Sequence, residues 1–468
     1  MGLRRDQAQH GRKATGPTRR EVLKAGLGAA GMLGVGPLIF ACGGSTRTSV
    51  SSSAASALPK YSKISMLIDT SGAGNAWQGG IKLFNQRNSG KIELVFDTVD
   101  FSSLLQKESL LFFSKSTQYD VFPVNGEWTA AVQNFLLPLD SFIEADGLDV
   151  TKLFGKDAVF KAGGKVLGLP GRNAPNIFAY RKDLYANLGL TVPTTLDEWS
   201  SQVPKLTKKG ADGRTLVYGT SISEGASAAH FSMIMFAYLG FPIGMRVLTD
   251  DLKQPDPSLK SETGIHVLTV IQEMAAYAPN LLAWSFTDNI NGWQQGSIAS
   301  DNFFGARSQA IEDPKTSKVV GKVGYALAPG QPASTKKLSG LGPHTPIYVG
   351  GPWYITINGK TSNPRAAWEL VKFLAASDEG QKGMALNYSN QPTLLSVLNS
   401  PEYQAKDPAA ATASKIYQQV GWSTIAPVPK NADVELAVHK QIQLLLGGAN
   451  PKTVAQGIYN DVGAVLKG

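Results

Sequence analysis

Three observations predict an α/β fold built as two domains. Strand-like and helix-like runs alternate from residue 61 onward, the chain continues to residue 468, and its last stretch reads almost wholly as helix. Alternation of this kind argues for parallel βαβ units with helices on both faces of a sheet. The length beyond residue 61 supplies two substantial cores.

Residues 63–68 read as a strand, 77–87 as a helix, 92–96 as a strand, 104–113 as a helix and 119–122 as a strand. In such sheets a ligand binds beyond the carboxyl ends of the strands, so loops 69–76 and 123–128 are the ones to watch. A second region follows Leu169-Pro170, where Thr195 and Glu198 have the spacing of a capping box at a helix start. Helices are expected at 228–239 and 264–277, strands at 323–327 and 354–357, and a helix at 363–376. Apolar periodicity then marks helices at 434–446 and 453–466. No internal repeat of short period is present.

The amino-terminal segment reads as an address. Thr18-Arg19-Arg20-Glu21-Val22-Leu23-Lys24 resembles a twin-arginine export signal, with Arg19 and Arg20 as the pair and Val22 where phenylalanine is often found. The apolar run 25–40 holds five glycines and is shorter than the roughly 20 residues that span a bilayer. It closes on Ile39-Phe40-Ala41-Cys42, which is similar to a lipoprotein box and implies a covalent lipid on Cys42. A lone buried thiol is the other reading of that cysteine. The chain is thus divided into a signal peptide at 1–41 and, at 42–60, the lipidated cysteine with a Ser-, Ala- and Thr-rich tether. Treated as a Gly/Ser-like coil, the tether reaches roughly 20–25 Å. The mature protein is expected outside the cytoplasm, anchored to the cell membrane.

Cys42 is the only cysteine, so the sequence offers neither an internal disulfide nor a cysteine cluster for zinc. The formal charge of +9 falls to +4 once the export segment, with its seven basic and two acidic residues, is set aside. No long basic run follows residue 42. Nucleic-acid binding, which needs clustered positive charge, is therefore not expected.

Several segments stand in a familiar order. They are Tyr119-Asp120-Val121-Phe122, Leu137-Pro138-Leu139-Asp140, Gly168-Leu169-Pro170, Tyr180-Arg181-Lys182-Asp183-Leu184-Tyr185 with Pro193-Thr194-Thr195, Gly350-Gly351, and the helix from Arg365 through Trp368 to Leu374. Together they resemble the family 1 extracellular solute-binding proteins, the sugar-binding receptors of ABC importers and relatives of maltose-binding protein. The resemblance runs from about residue 63 to residue 467. It implies a two-lobed periplasmic-binding-protein-like fold of type II with a ligand cleft between lobes, the first at 61–170 plus 328–388 and the second at 171–327 plus 389–468. It also implies a monomer that delivers a carbohydrate to the transmembrane subunits of a permease, with no cofactor and no metal.

A sugar presents apolar C–H faces to aromatic rings and a rim of hydroxyls that need charged or amide partners. Trp199, Trp368 and Trp284 lie in helical or apolar surroundings and read as core. Asn75 and Trp77 sit at the first expected cleft turn, and Glu127 and Trp128 at the second. The resemblance places Glu127 at an acidic sugar-binding position, although a helix-start carboxylate accounts for it equally well. Arg172, Asn173 and Asn176 fall on the first crossing, where Arg172 serves either hydroxyls or an interlobe ion pair. Trp293 precedes a Gly-centred segment like the one before a cleft strand in the family, and Asn302 follows it. Arg307 stands where relatives often carry an aromatic residue, which argues against carrying maltodextrin specificity over. Gly350 and Gly351 permit close backbone approach, Trp353 either stacks or packs, and Trp422 completes the candidates.

Enzyme readings fare poorly. Gly26-Leu27-Gly28-Ala29-Ala30-Gly31 fits a dinucleotide fingerprint but lies in the export segment with no strand before it. Asp69-Thr70-Ser71-Gly72 is close to an aspartic protease signature and has no second copy. The five histidines lack zinc-ligand spacing, and neither a nucleophile elbow nor a P-loop occurs. Two alternatives remain: a receptor for a polyamine or metal chelate, or an exported glycoside hydrolase pairing Glu127 with Glu224 or Asp301.

Overall fold

The structure is a computed structural model that describes residues 60–70, 72–155, 158–173, 175–222, 225–330, 351–419 and 425–468, all within the compact unit Ser51–Gly468. The buried run Ser62–Asp69 forms a strand that pairs in parallel with Ile92–Val99, from Ser62 opposite Ile92 to Asp69 opposite Val99. The helix between them, Gly72–Arg87, starts five residues earlier than its apolar pattern suggests. Glycine at position 74 permits this, because a Cβ there would lie 1.7 Å from the Asp69 carbonyl oxygen.

The first sheet has six strands in the order Ile92–Val99, Ser62–Asp69, Val121–Asn125, Trp353–Ile357, Lys165–Arg172, Phe160–Ala162. Its first three strands are parallel, as expected of βαβ units. Trp353–Ile357 enters antiparallel to both of its neighbours, which makes the sheet mixed. The third strand runs to Asn125 rather than ending at 122. Pro123 is tolerated there because the parallel pairing to Ser62–Asp69 involves only Met66 and Val121, so no ladder bond is lost on that side. Helices Phe101–Phe113 and Pro364–Ala376 pack on this sheet, and Trp368 is fully buried with its indole N–H donating to Asp146 Oδ2 at 2.8 Å.

A second sheet of three antiparallel strands, Val323–Leu327, Asn176–Arg181 and Ser300–Phe304, belongs to a second core. Around it lie Leu196–Leu206, Glu262–Ala275, Asn431–Leu446 and Pro451–Lys467. The Leu196–Leu206 helix carries the expected capping box between Thr195 and Glu198. Its Trp199 is fully buried and donates to Ser300 Oγ at 2.8 Å. Ala229–Gly240 is apolar on all sides, and every residue from Ser232 to Gly240 is buried, which marks it as the central helix of this core. Leu394, Val397, Leu398 and Tyr403, which follow Tyr388 in the chain, pack in the first core, whereas Ala409 and Ile416 join the cluster around Trp293 and Phe303.

Candidate functional site

The carboxyl end of the first sheet gathers the side chains of interest. Asn125 ends one strand, and its side chain accepts from the Glu127 amide at 3.0 Å, while Thr129 Oγ1 donates to the Gly126 carbonyl at 2.8 Å. The Gly126 amide donates to the Pro352 carbonyl at 2.7 Å, tying this turn to the start of the Trp353 strand. Register then puts Trp353 opposite Asn125 on one side and Arg172 on the other. The indoles of Trp128 and Trp353 meet edge to face, 5.7 Å apart and tilted by 74°, a favoured aromatic geometry. Gly351 is buried next to this turn.

Glu127 faces the second core. Its Oε2 lies 3.5 Å from His230 Nδ1, which is 2.9 Å from Glu435 Oε1. His230 comes from the Ala229–Gly240 helix and Glu435 from the Asn431–Leu446 helix. Burial pushes the Glu127 carboxyl up to about 7; His230 opposes the rise, and Glu435 adds to it.

The first crossing is pinned from below. Gln381 Nε2 donates to the Gly171 carbonyl at 2.8 Å, Asn390 Nδ2 to the same carbonyl at 3.3 Å, and Thr393 Oγ1 to that of Pro170 at 2.5 Å. The Asn173 amide donates to the Gln391 carbonyl at 3.3 Å. Burial works to lower the pKa of the half-buried Arg172, and the carboxylate of Asp69 at the end of its strand opposes that. Tyr417 lies close to both Arg172 and Asn173.

The other expected site residues divide. Trp77 is fully buried in the first core, its ring so close to the crossing strand that a Cβ at Gly171 would lie 2.8 Å from Cη2. Asn75 is exposed on the same helix. Trp293 is fully buried and packs edge to face on Phe303. Asn176 and Asn302 are buried, and both donate through Nδ2 to the Tyr238 carbonyl, at 3.3 and 3.1 Å. They thereby satisfy a carbonyl in the last turn of the central helix. Arg307 is engaged inside the second core: its Nη1 donates to Asn289 Oδ1 at 2.7 Å, and its guanidinium lies over Phe286 at 4.3 Å and Phe303 at 5.4 Å. Asn289 in turn donates to Asp301 Oδ2 at 2.8 Å. The carboxylate that meets Glu127 is thus Glu435, while Asp301 is held by Asn289 and Ser221. Gly350, Trp422, Glu224, Cys42, Arg19 and Arg20 lie outside the described residues.

Sequence reasoning missed His230, Glu435 and Tyr417. His230 and Glu435 are 205 positions apart and their contact crosses between elements, so no spacing pattern announces it. The one available cue was that His230 lies in an otherwise apolar helical stretch.

Two α/β cores joined by a pinned crossing, with indoles and ionisable groups gathered where they meet, define a two-lobed receptor of the type II periplasmic-binding fold. The bacterial extracellular solute-binding protein family matches residues 69–382, and the chain belongs to that family. Among solved structures it is similar to an ABC transporter solute-binding protein from Agrobacterium radiobacter in complex with ribitol, at 21% identity over 87% of this chain and 99% of that one, with a TM-score of 0.72. Maltose-bound MalE3 of T. maritima matches at 19% identity, 86% and 99% coverage and a TM-score of 0.72. An Agrobacterium vitis solute-binding protein with bound D-mannitol matches at 21% identity, 87% and 98% coverage and a TM-score of 0.68. No curated protein matches the chain in sequence. The family is that of the bacterial extracellular solute-binding proteins, so the chain is a solute-binding protein and not an enzyme.

Proposed function

We propose that this protein is the carbohydrate receptor of an ABC importer, holding a sugar, oligosaccharide or polyol between its lobes for delivery to a membrane permease. The observation that carries this reading is the edge-to-face pair of Trp128 and Trp353 at the carboxyl end of the first sheet, beside Glu127 in the chain and in register with Arg172. Indole faces suit the C–H faces of a sugar, and the carboxylate and guanidinium suit its hydroxyls. The ribitol, maltose and D-mannitol bound by the similar structures support the same class of ligand. Sugar binding of this kind needs no cofactor.

The tether and Cys42 fit a monomer anchored to the outer face of the cell membrane through a covalent lipid after twin-arginine export. Among the described residues no helix is long and apolar enough to cross a membrane. The direct test is a thermal-shift and tryptophan-fluorescence panel of polyols, mono- and oligosaccharides, polyamines and metal chelates. A polyol or sugar is expected to raise the melting temperature and shift the emission. Stabilisation by a polyamine or chelate alone, or release of a chromogenic aglycone from a glycoside, would overturn the proposal.

A further inference from the structure

Glu127, His230 and Glu435 come from three separate elements and from both cores, and one ligand atom of each lies within 4.8 Å of the other two. Glu127 is only 3% exposed, and its Oε2 is sealed from solvent with no hydrogen-bond partner. Two carboxyl groups thus face one imidazole in a place shielded from water, where a bound cation would meet the charge of both carboxylates. One imidazole nitrogen with two carboxylate oxygens is a donor set suited to zinc and its neighbours in the first transition row. Bonds of about 2.0–2.2 Å around a tetrahedral ion place ligand atoms roughly 3.3 Å apart. The separations of 2.9 Å and 3.5 Å from His230 Nδ1 bracket that value.

The geometry points to a site for a divalent transition-metal ion, represented by Zn²⁺, that staples the first lobe to the second through Glu127, His230 and Glu435. Binding requires the His230 Nδ1 lone pair, so any proton held there passes to solvent. Three protein ligands leave a fourth position for water. The inference goes beyond the carbohydrate reading, sharing Glu127 with it, and needs only that the two lobes meet as they do here.

The test is equilibrium dialysis of the purified protein against Zn²⁺ after stripping with a chelator, with bound metal counted by mass spectrometry. One zinc per chain is expected, with a higher melting temperature and a smaller radius of gyration in scattering. Glu435→Gln, which keeps the side-chain shape, is expected to weaken zinc binding by about tenfold or more while melting like the parent in chelator. His230→Gln serves as a second variant with the same expectation. Failure to retain zinc, or retention unchanged in both variants, overturns the site. The sugar panel repeated in chelator separates the two proposals: sugar binding without zinc uptake sinks only the metal site, and zinc uptake without any sugar response sinks only the carbohydrate reading.

Discussion

Trp77 and Trp128 occupy equivalent positions after neighbouring strands, yet the structure gives them different work. Trp77 is wholly enclosed in the first core, whereas Trp128, 5% exposed in the same core, packs edge to face on Trp353 beside Glu127. Trp77→Ala is therefore expected to cost about 3–5 kcal/mol of stability, as for other buried tryptophans. Trp128→Ala is expected to weaken ligand binding more than it lowers the melting temperature. Paired denaturant melts and ligand titrations check both, and equal stability losses in the two variants would remove the distinction. The sequence expected Glu127 and Trp128 at a turn after a strand, and that placement was legible because their offset from the strand is local. It could not separate Trp77 from Trp128, because both follow strands and only three-dimensional packing decides which indole is enclosed. Arg307 shows the same limit: its partners Asn289, Phe286 and Phe303 lie on two elements whose juxtaposition is a tertiary matter.

Among elements, the helix Phe101–Phe113 holds an anomaly on its inner face. Glu108 is fully buried, both of its carboxyl oxygens lack hydrogen-bond partners, and burial together with the nearby Asp69 pushes its pKa well above the ordinary value of 4.5. A carboxyl raised in this way favours the folded state when protonated. Its contribution is complete below about 4.5 and is lost as pH rises through the elevated folded value. Glu108→Gln, and still more Glu108→Met, is accordingly expected to raise the melting temperature at neutral pH and to have little effect in acid. Unchanged melting across that range would contradict the argument. Most elements were readable from period and caps: Val323–Leu327 lies where alternation puts it, and Thr195 begins its helix as its capping box requires. Boundaries failed where backbone neighbours decide them. Gly72–Arg87 begins early because Gly74 admits the Asp69 carbonyl, and Val121–Asn125 continues through Pro123 because little of that strand is paired on one side.

For the whole molecule, contact between the lobes is expected to be coupled to a proton on Glu127. Burial raises the Glu127 carboxyl to about 7, and exposure to water on parting of the lobes is expected to remove that cause. The sign follows from linkage: meeting takes up a proton, so contact is favoured below about 4.5 and that advantage disappears as pH climbs through about 7. Scattering of the metal-free, unliganded protein should give a radius of gyration that grows over this interval, and Glu127→Gln should flatten the change. A radius independent of pH in the parent would contradict the coupling. The two-lobe plan was legible from the order of segments. The contact surface was not, because its ionisable members are drawn from opposite ends of the chain.

The perpendicular indoles of Trp128 and Trp353 carry an optical consequence. Two such chromophores 5.7 Å apart are close enough for their electronic transitions to couple, and a paired positive and negative band is expected in far-ultraviolet circular dichroism. The proposed carbohydrate site predicts that adding a polyol or sugar changes this far-ultraviolet signal in the parent and leaves it unchanged in Trp353→Phe.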